Sequence, residues 1–238
     1  MKSTFAFKKW VNSSQPKFAV GKTVGPSALG DGKQRYYEVK FEDAVDKIVK
    51  NRKPIGNEQV FVSETPKVFA DIGFARLPIM MTQKHVLTIS SDAAALKSLK
   101  IGGNAHDMKA VLKQVPKAIQ KPLMVIASET RPDSSVVAIT QLKDRDGKTV
   151  IVPIALDGIS PIGGGGLIDS HIITSAYGKG NVWSKLVEDA ITKEINGDVG
   201  VFYIDTARAN VVRNQLARAA SGNFALQWLQ LPRGRQNP

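Results

Sequence analysis

The sequence predicts an α+β fold: N-terminal helices, then a mainly antiparallel sheet of four to five strands, then additional C-terminal helices. Three observations lead to this prediction. Helical apolar spacing dominates the first half, strand-like runs with turn signals follow, and helical spacing returns near the end. Short connections between the strand-like runs favour antiparallel pairing. With 42% hydrophobic residues the chain can bury a core, and we see no internal repeat.

Residues 1–55 are predicted to be a basic, partly flexible leader, and residues 56–238 to be the α+β domain. Much of the leader is rich in Ser, Gly, Pro and Lys with little periodicity, which is typical of tethers. One helix is predicted within it, from about Phe41 to Lys50. Its inner side would be formed by Ala44, Ile48 and Val49. A boundary within a longer chain is an equal explanation for this composition.

The segment after the leader is predicted to alternate short strands and short helices. Val60–Ser63 is a short strand, and Thr65-Pro66 opens a helix because Pro is tolerated at the first helical position. That helix ends at Gly73. The apolar stretch Leu77–Met81 follows, and Asp92–Leu99 is predicted to be a further short helix.

The helix that begins near Asn104 has the clearest amphipathic pattern. Asn104 is predicted to cap it, and Pro116 to kink or restart it. Its apolar side consists of Met108, Val111, Leu112, Val115 and Ile119. Its polar side consists of His106, Lys109, Lys113, Lys117 and Gln120. Nearby cations disfavour the protonated imidazole, so His106 is predicted to be a neutral base; a solvated basic helix face is the alternative.

Four strand-like runs with turn signals between them form the predicted centre of the sheet. They are Leu123–Ala127, Ser135–Leu142, Thr149–Leu156 and His171–Tyr177. Asp144–Gly147 is typical of a hairpin turn, and Pro153 indicates an edge position or a bulge. A helix from Asn181, a strand over Val199–Ile204 and a final helix over about Thr206–Ala220 complete the prediction.

The charge of the chain is strongly positive and unevenly distributed. There are 33 Lys and Arg against 21 Asp and Glu, a formal net charge of +12. Residues 1–54 hold more than half of the excess, and a second basic block spans residues 81–130. A phosphate-rich partner would explain this pattern, because Lys and Arg release counterions when they contact phosphates. Charge that only maintains solubility is the alternative.

The composition and motifs exclude several kinds of site. The chain has no cysteine, which removes disulfides, Cys-bound metals and thiol nucleophiles, and it has three histidines. There is no Gly-x-Ser-x-Gly elbow, the run Gly163–Gly166 lacks the Lys-Ser/Thr of a P-loop, and acidic residues do not cluster. We therefore expect no metal and no cofactor. No apolar N-terminal signal or membrane-length run is visible, which predicts a cytoplasmic protein without a membrane partner.

The predicted strand His171–Tyr177 carries polar side chains on one face. Alternation assigns that face to His171, Ile173, Ser175 and Tyr177. It assigns the other face, predicted to be buried, to Ile172, Thr174 and Ala176. Imidazole, hydroxyl and phenol groups together are typical of a site that binds or protonates an anion, and Lys179 adds a cation at the strand end. An exposed sheet face with ordinary polar residues is the alternative.

The remaining options favour metal-free acid–base cleavage of RNA. A histidine would take the proton from a ribose 2′-hydroxyl, which would then attack the adjacent phosphorus. A second histidine or Tyr177 would protonate the leaving oxygen, and Lys or Arg would stabilise the charge of the phosphorane. Lys84-His85 is a candidate phosphate-binding pair, with a histidine that caps a loop as the alternative.

An ordered set of motifs extends over roughly residues 58–233. It consists of Thr65-Pro66 before Gly73-Phe74, Leu77–His85, His106 before Val115-Pro116 and Lys121-Pro122, Ile172–Lys179, Phe202–Asp205 and Leu229–Pro232. In this order the set resembles the C-terminal domain of phage MuF-like head-morphogenesis proteins, also found in polyvalent proteins of phages and mobile elements. The leader is not covered by the resemblance.

The resemblance implies a fold and a set of site residues. The family looks related to the barnase, EndoU, colicin and RelE group of RNase toxins, whose metal-free sites combine His, Ser or Thr, Tyr and basic residues. Carried over, the catalytic roles fall on His85, His106, Ser175 and Tyr177. With the basic helix face included, the expected substrate-binding residues are Lys84, Lys109, Lys113, His171, Thr174 and Lys179. His171 stands where the pattern has Asn, and Thr206 where it has Lys.

The sequence thus predicts a metal-independent endoribonuclease, acting as a toxin or effector of phage or mobile-element origin. Its expected partners are RNA, with tRNA as one candidate, a cognate immunity or antitoxin protein, and phage head proteins. The alternative is a non-catalytic module that associates with the phage head or binds nucleic acid. Transfer chemistry on a nucleotide cofactor is a third hypothesis, which no dinucleotide fingerprint supports.

Overall fold

The computed structural model describes residues 31–56, 58–90, 105–205 and 208. The helices are α1 (Asp31–Asn51), α2 (Lys67–Asp71), α3 (Gln83–Ser90), α4 (Ala105–Gln120) and a π-helical segment (Val182–Val187) that continues into α5 (Glu188–Ile195). The strands are β1 (Val60–Glu64), β2 (Pro78–Met81), β3 (Met124–Ala127), β4 (Ser135–Lys143), β5 (Thr149–Ile162), β6 (Gly166–Ile173), β7 (Tyr177–Lys179) and β8 (Val201–Ile204). The predicted α+β class is confirmed.

The strands form one sheet in the order β1-β2-β6-β5-β4-β3-β8, and β7 pairs with β5 beyond the end of β6. All of these pairs are antiparallel except β2–β6, which is parallel. Within the described residues the sheet has eight strands, more than the four to five predicted. The strands predicted over Val60–Ser63 and Val199–Ile204 correspond to β1 and β8, whereas β2 and β7 were not predicted as separate strands and have only four and three residues. So few residues give too little period-two pattern to reveal their pairing.

Both faces of the sheet are covered, so the central strands are apolar on both sides. One face packs Val136, Val152 and Ile154 against side chains of α1, α3 and α4. The other face packs Ile126, Ile139 and Ile151, together with Trp183, Leu186 and Ile191 of the C-terminal helical segment. This explains why β3 and the first half of β4 are continuous apolar runs in the sequence, as fully buried strands are.

Helix α1 joins the core although the sequence places it in the leader. The predicted helix covers about ten residues, whereas α1 has 21. Phe41, Val45 and Ile48 are buried, and Ala44 and Val49 pack beside them as predicted for the inner side. The division of the chain at residue 55 stays a prediction, and residues 1–30 lie outside the described part.

The structure adds one helix to the prediction and rules out a restart at Pro116. Helix α3 follows β2 directly, in a segment where no helix was predicted and where a loop was only the alternative for His85. Helix α4 continues through Pro116 without a restart, and Ile119 beyond it is fully buried. Burial of the apolar stripe outweighs the hydrogen bond that proline removes. The predicted helices over Asp92–Leu99 and Thr206–Ala220 lie outside the described residues, apart from Arg208.

The hairpin of β5 and β6 bends back on the sheet. β5 continues past its predicted end at Leu156 because a bulge at Asp157 (φ 53°) lets the strand bend rather than stop. The turn of the hairpin requires positive φ at Gly164 and Gly165 (79° and 82°), which explains the glycine run. The N–H of Gln59, just before β1, donates to the Pro161 carbonyl near the end of β5 (3.2 Å). The sheet therefore curls so that the β5–β6 hairpin lies beside the start of β1.

Candidate functional site

The parallel pairing of β2 and β6 brings two groups of predicted site residues to one end of the sheet. The last residues of the two strands lie opposite each other. Lys84 and His85 follow β2, while Thr174 and Ser175 follow β6. These four residues therefore lie beyond the carboxyl ends of neighbouring strands. We call this group the β2–β6 edge.

His85 is positioned by the first turn of α3. Thr82 Oγ1 accepts a hydrogen bond from the His85 backbone N–H (3.1 Å), and the Thr82 carbonyl accepts one from the Val86 N–H (3.1 Å). The imidazole Nδ1 is buried and has no hydrogen-bond partner among the described residues. Lys84 on the same turn is exposed. This imidazole nitrogen therefore retains the capacity for one hydrogen bond.

Pro153 interrupts the strand that the sequence predicts over His171–Tyr177. The Thr174 N–H donates to the Pro153 carbonyl (3.1 Å), but Pro153 has no N–H with which to return the bond. β6 therefore ends at Ile173, and β7 begins only at Tyr177. The prediction of one continuous strand is wrong, and Ser175 lies between the two strands rather than in line with its predicted neighbours.

Tyr177 and Lys179 lie further along the same direction, on β7. Tyr177 pairs with Ile151 and Lys179 with Thr149 of β5. The Tyr177 side chain is 42% exposed. Burial raises the pKa of its phenol, and the nearby Glu129 carboxylate adds to the rise. A higher pKa makes the phenol a weaker proton donor near neutral pH, which weighs against the predicted acid role.

The alternation around His171 is as predicted, but the prediction of which face is buried is wrong. His171 and Ile173 are buried, whereas Ile172 on the opposite face is only partly buried. The His171 Nε2–H donates to the Ala75 carbonyl (2.9 Å), and Nδ1 accepts from the Asp157 N–H (3.3 Å). Burial lowers the pKa of His171, although the Ala75 hydrogen bond and the Asp157 charge act in the opposite direction. Both ring nitrogens are used within the fold, which is typical of a structural histidine.

Lys109 and Lys113 are joined to α1 rather than left open on a helix face. Asp46 of α1 pairs with Lys109 (2.6 Å) and with Lys113 (2.7 Å). Hydrogen bonds from Lys109 and then Lys113 lower the pKa of the Asp46 carboxyl. These lysines connect two helices of one layer, so their charge is partly neutralised before any ligand arrives.

His106 lies in the first turn of α4, but its side chain is outside the described part of the structure. The structure therefore places His85, Ser175 and the binding candidates beside them at the same end of the sheet, after two paired strands, and places Tyr177 on the next strand. It places His171, Lys109 and Lys113 in internal contacts. The catalytic and binding roles themselves stay predictions.

Two residues that organise this region were missed by the sequence argument. Asp157 forms the bulge and bonds His171, and the dipeptide Asp157-Gly158 inside an apolar run was an available signal for a bulge. Asp46 lies on a solvent-facing helical pattern, and only the packing of α1 on α4 gives it partners. No local pattern could have identified that pairing.

Two further observations concern metals and membranes. Within the described ranges, no three His, Asp or Glu side chains are grouped so as to hold a metal ion. In the same part of the chain, none of the helices combines the length and the apolar character needed to cross a membrane.

Comparison with known families supports part of the resemblance seen in the sequence. Residues 97–210, a little under half of the chain, match the family model described as the phage MuF-C-terminal domain. The motifs before residue 97 and after residue 210 lie outside this match. Neither the curated proteins nor the solved structures give a match. The stretch from α4 through β8 is thus similar to the phage MuF C-terminal domain.

Proposed function

We propose that the chain is a phage-associated binding module without ribonuclease activity of its own. The observation that carries this proposal is the internal engagement of the predicted site residues. Both ring nitrogens of His171 bond within the fold, and Lys109 and Lys113 both pair with Asp46. Side chains with such partners stabilise the fold and have little capacity left for a substrate. The similarity of residues 97–210 to a phage domain supports a role with phage particles or their nucleic acid.

The requirements of RNA cleavage support the same proposal. Attack by a 2′-hydroxyl needs a base and an acid on opposite sides of the phosphorus. Among the described residues, His85 offers one unpaired nitrogen. Tyr177, the candidate acid, has a raised pKa, and His171 is withdrawn from solvent. The base therefore lacks a well-suited acid in this part of the chain.

A metal-independent endoribonuclease toxin is the second candidate function, and the β2–β6 edge favours it. His85 and Ser175 lie beyond neighbouring strands, with Lys84 and Thr174 beside them. Such a group resembles the expected combination of a base, a hydroxyl and a phosphate-binding cation. This candidate would act on RNA such as tRNA and would require a cognate immunity or antitoxin protein.

The two candidates are separated by a cleavage assay. The purified chain is incubated at pH 7 with total RNA and with tRNA in EDTA, beside His85→Ala, His106→Ala and Tyr177→Phe variants. We expect intact RNA in every reaction and normal growth of a bacterial host that expresses the wild type. Cleavage by the wild type that His85→Ala or His106→Ala abolishes would reject the binding-module proposal in favour of the toxin.

A further inference from the structure

We propose that the phosphate backbone of a nucleic acid lies across one end of the sheet. The inference rests on the proposed binding function and names its partner and its surface. At this end β2, β4, β6, β7 and β8 finish, and β1, β3 and β5 begin. The charged residues found there are mostly basic. We call this end, with the charged residues of its loops and strand ends, the basic edge.

The basic residues of this edge come from several of the connections and strand ends that reach it. They are Arg52, Lys53, Lys84, Lys121, Lys143, Arg145, Lys148, Lys179 and Arg208. The acidic residues at the same end are Glu58, Asp144, Asp146 and Asp205. The nine cations therefore exceed the four carboxylates by a wide margin.

Specific contacts fix the outer parts of the basic edge. The Ile55 N–H donates to Gln83 Oε1 (2.6 Å), which holds the segment after Lys53 against the start of α3 beside Lys84. At the far side, Arg208 Nη2 donates to the Lys121 carbonyl (2.8 Å). Hydrogen bonds thus hold the loops at both outer sides of the basic edge in place.

The opposite end of the sheet has the reverse balance among the described residues. Its loops and strand ends carry Lys67, Arg76 and Arg131 as cations. Its carboxylates are Glu64, Asp71, Glu129, Asp133 and Asp198. One of the cations, Lys67, is already paired with Asp71 (2.5 Å). The positive charge is therefore concentrated at one end of the strands and is not spread evenly over the described surface.

Several cations of the basic edge remain available to a ligand. Within the described residues, no ion pair is formed by Arg52, Lys53, Lys84, Lys121 or Lys179. The first four are exposed and Lys179 is half-buried. Lys109 and Lys113, by contrast, are held by Asp46.

The distribution of these cations over several connections along one end of the sheet fits a linear polyanion better than a compact acidic patch on a protein. Seven neighbouring strands at about 4.8 Å spacing give a contour of about 30 Å along this edge, which corresponds to roughly nine base pairs. Four of the five unpaired cations are lysines, whose point charges on flexible stems suit sequence-independent phosphate contacts. A row of this kind neutralises successive phosphates and releases their counterions.

The test measures binding and its salt dependence. Fluorescence anisotropy with a 20-base-pair duplex DNA and a 20-nucleotide single-stranded RNA is recorded at 50 and 200 mM salt. For about five phosphate contacts, we expect affinity to fall roughly 10²- to 10³-fold over this range. The variant Lys53→Gln/Lys84→Gln/Lys121→Gln/Lys179→Gln should bind more than about tenfold more weakly and show a shallower salt slope. The control Lys40→Gln/Lys67→Gln/Arg76→Gln/Arg131→Gln removes the same charge and should stay within about twofold.

The outcomes separate this inference from the proposed function. Equal losses in the two fourfold variants would overturn the inference, because net charge alone would then attract the nucleic acid. Absence of salt-sensitive binding to both probes would overturn it too, and would leave a binding module whose partner is a protein. Preference for duplex or for single strand identifies which nucleic acid supplies the backbone. RNA cleavage by the wild type would reject the proposed function, whichever variant binds.

Discussion

The histidines show how surroundings decide what one residue type can do. His171 is enclosed and donates to Ala75 while it accepts from Asp157, so its neutral tautomer is part of the scaffold. His85 is half-buried, and its Nδ1 has no partner within the described residues. A buried unpaired polar atom is costly unless a ligand or water satisfies it. Of the two histidines whose side chains the structure describes, His85 is therefore the one with unused hydrogen-bonding capacity.

The enclosed His171 predicts a stability that declines in mild acid. Its pKa in the folded state is below the ordinary value of 6.5, so the unfolded chain takes up the proton first. The free energy of unfolding should therefore fall as pH decreases below about 6.5, by at most about 1.4 kcal/mol per pH unit for this proton. Urea unfolding at several pH values measures the slope.

His171→Gln is the matching variant for this measurement. It removes the titration, so the slope between about pH 6.5 and 5 should flatten even if the variant is less stable overall. A variant that keeps the wild-type slope would assign the effect to other groups. Asp46, whose pKa is also lowered, loses its contribution only at more acidic pH and acts outside this window.

At the scale of elements, two ion pairs that share one carboxylate join helices of the same layer. Asp46 joins α1 to α4 through two lysines one helical turn apart. Its side chain is 47% exposed, so each pair is worth only a fraction of a kcal/mol to about 1 kcal/mol. Without the carboxylate, the two ammonium groups would repel each other at i,i+4 spacing.

Asp46→Asn should therefore lower the free energy of unfolding by about 1 kcal/mol. The loss should shrink at high salt, because salt screens the ion pairs that it removes. The control is Asp43→Asn on the same helix, an exposed residue without an ion pair among the described residues. Equal effects of the two substitutions, measured by urea unfolding, would show that Asp46 does not act through its lysines.

The elements that could be predicted from sequence are those whose pattern is local and long. β4 and α4 follow from an apolar run and from helical spacing, and the packing confirms the predicted inner side of α4. The break after Ile173 could not be predicted in the same way, because the missing N–H belongs to Pro153 on another strand. The β2–β6 edge could not be predicted either, because it depends on a parallel pairing that the sequence of such short strands does not indicate.

At the scale of the whole molecule, the sheet is covered on both faces and α1 is part of the cover. Phe41 and Val45 have no exposed surface and pack into the same core as Ile154 of the central sheet. Residues that the sequence assigned to a leader thus contribute to the stability of the domain. The charge distribution also belongs to this scale. Among the described residues, basic side chains predominate at one end of the sheet and carboxylates at the opposite end.

Phe41→Ala should lower the free energy of unfolding by about 3–5 kcal/mol, because it opens a cavity in the core. Val39→Ala is the control, since Val39 is 40% exposed on the same helix and should cost less than about 1 kcal/mol. Thermal and urea unfolding measure both. A small effect of Phe41→Ala would indicate that α1 is dispensable and would favour a domain that begins near residue 56.

The contact between the β5–β6 hairpin and the segment before β1 also constrains the order in which parts of the chain can fold. Gln59 Oε1 accepts from Ser160 Oγ, 101 residues further along the chain, and β2 cannot complete its pairing until β6 exists. Contacts so distant in sequence slow folding, because the entropy of closing the loop is lost before the contact forms. During synthesis, β1 and β2 leave the ribosome before the β5–β6 hairpin. The edge of β2 that pairs with β6 stays unpaired until that hairpin has formed. The early half of the chain is therefore the half most exposed to aggregation or to capture by chaperones before translation passes Ile173.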